Sequence, residues 1–183
     1  MKRVYLLLLL LLTYFSTLAQ KQYEVVGNGI QITKIYENTG MNIEQCHDTV
    51  FSHFASVFND SNHTCKMNTP TELIYKGVFS KVVFFSIAWR SNVDFEVRVS
   101  IKENRMRVVV FADRVHSYTT ESPNTASYYL VDAAPLAEKH NAWKTCIPKN
   151  KAEELFDKTL TMMNAVIAGL DKSMTRKPSN DNW

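Results

Sequence analysis

The chain has 183 residues, with 21 Lys and Arg against 18 Asp and Glu for a formal charge of +3, and it contains only five glycines. That length suits one domain rather than two. So small an excess of positive charge gives no reason to expect a nucleic-acid partner, and so few glycines leave little material for phosphate-cradling loops.

The N-terminus reads as a secretory signal peptide. Lys2 and Arg3 form a positive segment, residues 6–12 an apolar core, and Thr17, Leu18 and Ala19 end it with small residues at the first and third positions. The apolar run over residues 4–15 falls short of the roughly 20 residues that a membrane span takes. Gln20 stands where a lipoprotein would carry its cysteine. Removing residues 1–19 leaves 164 residues at a charge of +1, because Lys2 and Arg3 go without an acid. The expectation is a secreted or periplasmic protein with a single α+β domain over residues 20–172, a polar disordered tail over 173–183, and no membrane span.

In chain order, residues 30–36 are β-branched between a glycine pair and the Asn38-Thr39-Gly40 breaker, and read as a strand. A helix follows. Asn42 is its N-cap, Gln45 completes a capping box, and Ile43, Cys46, Val50, Phe54 and Val57 recur at helical spacing. The acceptor patterns at Asn59 and Asn62 match N-glycosylation, as polar loops often do. From Glu72 the period changes to two. Residues 73–79, 82–89, 95–101 and 106–111 form four strand-like runs whose short connections imply antiparallel pairing.

Residues 114–150 are irregular and contain Pro123, Pro135 and Pro148, with a strand expected near 128–131 and a short helix near 136–143. Asn150 with Glu153 then caps a closing helix, whose stripe is Leu155, Leu160, Met163, Ile167 and Leu170. This order, β-α-β-β-β-β-α, predicts a single curved antiparallel sheet with two helices on one face. The other face is left to solvent, a loop or a partner.

The stretches "IQITKIYENTG", "ELIYKGVF" and "FEVRVSIKENRMRVVVF" resemble an uncharacterised domain of exported gram-negative bacterial proteins, whose fold is likened to TATA-binding protein. The resemblance covers residues 30–170, with Phe54 where the family often has Trp. It implies a TATA-binding-protein-like fold and no known activity, cofactor or catalytic residue.

The central hairpin is the most legible part of the sequence. A two-residue turn at Glu103-Asn104 pairs Ile101 with Met106, Val99 with Val108, Val97 with Val110 and Phe95 with Ala112 on one apolar face. The opposite face then carries Lys102 with Arg105, Ser100 with Arg107, Arg98 with Val109 and Glu96 with Phe111. Arg98, Lys102, Arg105 and Arg107 are therefore the candidate anion-binding residues. The bland alternative is a solvated, screened face. Val109 and Phe111, at the apolar end, are expected to lie under residues 114–150 or under a partner protein. TATA-binding protein uses its sheet on DNA, but it wedges open a minor groove with a strongly basic surface. No genomic nucleic acid is expected here.

Chemistry is sparse. Cys46 and His47 are adjacent on a helix and point about 100° apart. His47 and His53 are six apart, whereas zinc-binding helices use i, i+4. His63 and Cys65 offer two ligands where a structural metal site takes four. No metal, cofactor or catalytic residue is assigned. Cys65 and Cys146 lie in polar segments flanking helices and are the expected disulfide, contributing about 4 kcal/mol for a loop of that length. An active site has room only in the irregular segment, among Asp113, His116, Glu121, Asp132, Glu138 and His140. The favoured function is an exported, non-enzymatic binding domain for an unknown protein or anionic ligand. The alternative is a small hydrolase in which His116 or His140 meets a carboxylate or nucleophile.

Overall fold

The computed structural model describes residues 23–58, 64–84, 89–119 and 126–175. The expected signal peptide, the acceptor patterns at Asn59 and Asn62, His63, Glu121 and residues 176–183 lie outside them. Among the described residues the elements are β1 (Glu24–Val26), β2 (Gly29–Glu37), α1 (Ile43–Val57), β3 (Cys65–Thr69), β4 (Glu72–Phe84), β5 (Trp89–Lys102), β6 (Arg105–Thr119), β7 (Ala126–Tyr129), α2 (Ala142–Thr145) and α3 (Lys149–Thr175). A single 3-10 turn over Leu130–Asp132 follows β7.

All the strands join one antiparallel sheet in the order β1-β2-β6-β5-β4-β3. β7 pairs with β6 over Arg114 to Ser117, along the edge that β2 leaves at Ala112. That end-to-end arrangement leaves no room for a side chain at Gly29, where a Cβ would stand 2.1 Å from the carbonyl oxygen of Ala112. The β5–β6 register is the one counted from the turn, from Lys102 opposite Arg105 to Phe95 opposite Ala112. Asn104 carries the turn's positive φ of 55°.

Two bulges alter the expected strands. Residues 73–79 and 82–84 form one strand, β4, interrupted between Phe79 and Val83 by an irregularity at which Lys81 adopts φ 54° and donates its N–H to Asn92 Oδ1 at 2.8 Å. β6 runs on to Thr119 instead of stopping near Phe111. A bulge between the Val93 and Phe95 pairings inserts Asp113 and Arg114, so Val115 and Ser117 return to the buried side. The irregular segment therefore begins later than residue 114.

One face of the sheet is covered by helices. α1 opens on the expected capping box, with Asn42 Oδ1 accepting from the Gln45 N–H at 2.8 Å and Gln45 Oε1 accepting from the Asn42 N–H at 3.1 Å. It buries Cys46, Val50 and Phe54. Phe54, Phe58, Tyr75, Phe79 and Phe95 stack into an aromatic layer beneath it. The Phe95 ring lies over Gly77, where any Cβ would come within 2.7 Å of it.

α3 buries Ala152, Leu155, Phe156, Thr159, Met163, Ile167 and Leu170, and Leu160 is half-buried. At about 1.5–3 kcal/mol per large apolar side chain, this stripe outweighs intrinsic helix propensity as the reason the helix forms here. The helix starts at Lys149, because the Pro148 carbonyl accepts the N–H groups of Lys151 and Ala152. Asn150 thus sits in its first turn and is not its cap.

Near its other end Asp171 fastens α3 to the sheet. It accepts from Lys34 Nζ at 2.6 and 2.7 Å and from the Tyr36 hydroxyl at 2.7 Å. Burial alone would raise the Asp171 carboxyl, but Lys34 and Tyr36 outweigh it and hold the group below the usual carboxylate range. The Tyr36 hydroxyl is pushed above its ordinary range, first by burial and then by Asp171. No helix of the described residues is long and apolar enough to cross a membrane.

Residues 126–147 join the same core. Tyr128, Leu130, Ala133, Ala134 and Ile147 are buried in the helix-side cluster, with Tyr128 paired to Val115. The short helix of this segment is α2, displaced from the expected 136–143, and Asn141 Oδ1 caps it by accepting from Trp143 and Lys144.

The expected disulfide is not formed, and all three cysteines are free thiols. Cys65 pairs with Tyr75 on the outermost strand β3, while Cys146 follows α2 near Tyr128 of β7. With β4, β5 and β6 between β3 and β7, the strand spacing alone separates the two positions by roughly 19 Å, far beyond the ~7 Å Cα limit of a disulfide.

Candidate functional site

Among the described residues the face turned away from the helices is open, and the pairings fix its layout as rows across the strands. Nearest the β5–β6 turn stand Lys102, Arg105 and Glu37, and the next row is Thr69, Glu72, Ser100, Arg107 and Ile35. Then come Met67, Ile74, Arg98, Val109 and Thr33, followed by Lys76, Glu96, Phe111, Gln31 and Glu24. The centre of this face is apolar. Ile35 is 45% and Met67 40% exposed, and Val109, Phe111 and Ile74 are half-buried among charged neighbours.

The four candidate basic residues share this face in different states. Arg98 is held by Glu96 at 3.0 Å, and the same carboxylate takes Lys76 at 3.2 Å. Arg105 reaches Glu37 at 3.1 Å. Lys102 and Arg107 have no ion pair or hydrogen bond among the described residues. Only these two cations of the set stand ready for an added anionic group, with the Ser100 hydroxyl directly across from Arg107.

The β6 bulge creates a cleft of about 420 Å³ at the other end of the face, lined by Lys66, Lys76, Asp94, Glu96, Phe111 and Asp113. Sequence reasoning ended the strand at Phe111 and so missed this feature. The legible signal was the three-residue step from Ala112 to Val115 in an otherwise two-residue alternation. Phe111 floors the cleft and Val109 lies beside it. The segment that follows β6 packs on the helix side, so the expected loop cover over Val109 and Phe111 is absent among the described residues.

The titratable residues of that segment do not converge. His116 Nε2 meets Asp94 Oδ2 at 2.9 Å, with Ser127 opposite His116 on β7. His140 is bound into the backbone, its Nδ1 accepting from the Ala134 N–H at 3.2 Å and its Nε2 donating to the Ile147 carbonyl at 2.9 Å. Asp132 takes Lys144 at 3.0 Å. Glu138 lies in a shallow hollow beside His140, and Asp113 lines the bulge cleft. No Ser, Thr or Cys lines that cleft. Among the described residues no group of three His, Cys, Asp or Glu side chains is placed to hold a metal.

A TBP-like protein from Parabacteroides distasonis superposes on the chain with a TM-score of 0.63 at 9% identity, covering 85% of this chain and 98% of that one. The fold is TBP-like. A DUF4468 family protein from Bacteroides ovatus gives a TM-score of 0.58 at 14% identity, over 87% of this chain and 94% of that one. At these identities the likeness is one of fold, and function is argued from the site. No family model and no curated protein matches the chain. Relative to the two-helix sheet expected from sequence, this TBP-like domain adds strands at both edges and the short α2, and keeps its helices on one face.

Proposed function

We propose that the chain is an exported, non-enzymatic binding domain whose partner docks on the open face of the TBP-like sheet. The observation that supports this is the composition of that face. An apolar centre, Ile35, Ile74, Val109 and Phe111, which no helix of the described residues covers, adjoins two cations, Arg107 and Lys102, that no carboxylate of the described residues satisfies. Other exposed cations, such as Lys34 with Asp171 and Lys158 with Glu154, are held in ion pairs. A partner presenting an apolar surface and an anionic group would bury the first and engage the second.

The test is a salt titration of binding to a sulfated polysaccharide and to a labelled single-stranded oligonucleotide, run beside an Arg98→Ser, Arg107→Ser double variant. Binding that weakens as salt rises and is lost in the variant supports the reading. Equal binding by variant and parent rules out the open face as the anion site.

The hydrolase alternative draws on the His116–Asp94 pair with Ser127 across from it. Its arrangement lacks a pocket around the hydroxyl, since the cleft that Asp94 lines contains no hydroxyl or thiol. Turnover of an activated ester that disappears in His116→Asn would favour it over the binding reading.

A further inference from the structure

The open face is polarised along its strands. At the turn end, Arg107 and Lys102 are cations without a partner among the described residues. At the bulge end, Asp113 is a carboxylate with no ion pair or hydrogen bond among them, and it stands in the cleft of about 420 Å³ with Asp94, Glu96 and Phe111. Val78 belongs to this face by the alternation of β4, is 49% exposed, and forms an apolar wall of the cleft. The hollow between α1 and α3 on the helix side has no such polarity. The one titratable group in its lining is His53, whose imidazole burial lowers from its ordinary value.

We infer that the partner on the open face is a second copy of this chain, stacked face to face with its strands reversed. The inference rests on the docking reading of that face and names its occupant. Two copies can face each other only about a two-fold axis lying in the plane between the sheets. An axis that crosses the strands between the Val109 and Phe111 rows keeps each strand over its own counterpart and exchanges the two ends. Arg107 then enters the bulge cleft of the second copy and meets its Asp113, while Asp113 receives the second copy's Arg107. On β5 each Arg98 comes over the other copy's Glu96, on β6 each Val109 over the other Phe111, and on β2 each Thr33 over the other Gln31. An axis along the strands would instead stack one basic tip on the other.

The register is specific for the same reason. Moving the axis by half a row sets Arg98 against Arg98 or Glu96 against Glu96, so like charges oppose the slipped pairings. An arginine also suits the cleft, because its guanidinium can lie flat on the Phe111 ring while donating to Asp113. Four rows about 7 Å apart on four strands about 4.8 Å apart cover roughly 500 Å² per copy, or about 1,000 Å² in all. That is the small end of specific interfaces, so the dimer is weak and depends on concentration.

Sedimentation velocity of the purified protein, from micromolar to near-millimolar concentration, tests this. The parent should associate, and less so as salt rises. Arg107→Glu and Asp113→Arg should each weaken association at least about tenfold, because each places like charges in both symmetric contacts. Both side chains lie outside the core, so circular dichroism should stay that of the parent. Asp113→Asn, nearly equal in size, should give a smaller loss in the same direction. Mixing the two charge-reversed variants decides the geometry. The introduced glutamate of one then faces the introduced arginine of the other, the remaining Arg107 faces the remaining Asp113, and association should recover. A parent that stays monomeric, a dimer indifferent to Arg107→Glu, or a mixture no more associated than its components overturns the inference. If the parent is monomeric, loss of sulfated-polysaccharide binding in the Arg98→Ser, Arg107→Ser variant still upholds docking on the open face, so the two failures are told apart.

Discussion

The two faces of the sheet are built from alternate residues of the same strands, yet they answer to different physics. On β5 and β6, Val97, Val99, Ile101, Met106, Val108 and Val110 are buried under the helices, while their neighbours Arg98, Lys102, Arg105 and Arg107 are exposed. The covered face fixes the register, because a slip of one residue would send every one of those valines into water and every arginine into the core. The open face carries no such constraint. Its mixture of Ile35, Val109 and Phe111 with unpaired Arg107 is more than folding asks for, and that surplus is what makes it the docking candidate.

The sharpest way to break this contrast is to place one charge on each face at adjacent positions. Val108→Asp buries a carboxylate with no partner, which costs several kcal/mol or more, and circular dichroism should show no cooperative folded state. Val109→Asp, one residue on, should keep a native spectrum and shift urea stability by no more than about 1 kcal/mol. Equal behaviour of the two variants would mean that the faces are not distinct. Phe54→Ala, beneath α1, is next in size. It empties the centre of the aromatic layer and should lower the unfolding free energy by about 3–5 kcal/mol in urea titration.

Asp171→Asn tests how the helix layer is fastened at the sheet edge. The Lys34–Asp171 pair is more than a third exposed, so with solvent screening the loss at pH 7 should be about 1 kcal/mol. The carboxyl is held below its unfolded value, so its contribution is complete above about pH 4 and lost as the pH falls through the lower folded value. Parent and variant should therefore converge in acid, and a gap that persists there would count against the ion pair.

His53 has the opposite proton bookkeeping to a paired histidine. Its folded value is lowered, so the unfolded chain binds the extra proton first and stability falls as the pH drops below about 6.5. His53→Gln should flatten that part of the stability profile, as read by thermal melts from pH 7 to 5. The smallest effect belongs to Arg107→Ser, which should leave stability within about 0.5 kcal/mol of the parent while weakening polysaccharide binding. A large loss of stability there would show that Arg107 serves the fold.

What was legible in the sequence was legible for local reasons. The two-residue turn at Glu103-Asn104 sets the hairpin register by counting, and the Asn42–Gln45 capping box starts α1 from three residues' separation. Bulges defeat this reading. The step from Ala112 to Val115 looks like a strand ending, and the break over Ser80 to Val82 looks like a gap between two strands. The edge strands β1, β3 and β7 are short and pair on one side only, so they lack the alternation that marks a buried strand.

The candidate site divides along the same line. Arg98, Lys102, Arg105 and Arg107 could be assigned to one face from the alternation alone. Which of them keep a free charge depends on Glu37 of β2, remote in sequence, and on how Glu96 is shared between Arg98 and Lys76.

By itself the sequence determined the period of each element, its caps, and the pairing of neighbours joined by a tight turn, because these rest on interactions within a few residues. Only the tertiary structure decided which edge β2 and β7 share, that Cys65 and Cys146 lie on opposite flanks, that Lys34 and Tyr36 meet Asp171, and that no helix of the described residues covers Val109 and Phe111. Those are contacts between segments far apart in the chain, and they are set by how the whole sheet pairs and where the helices find apolar surface to bury.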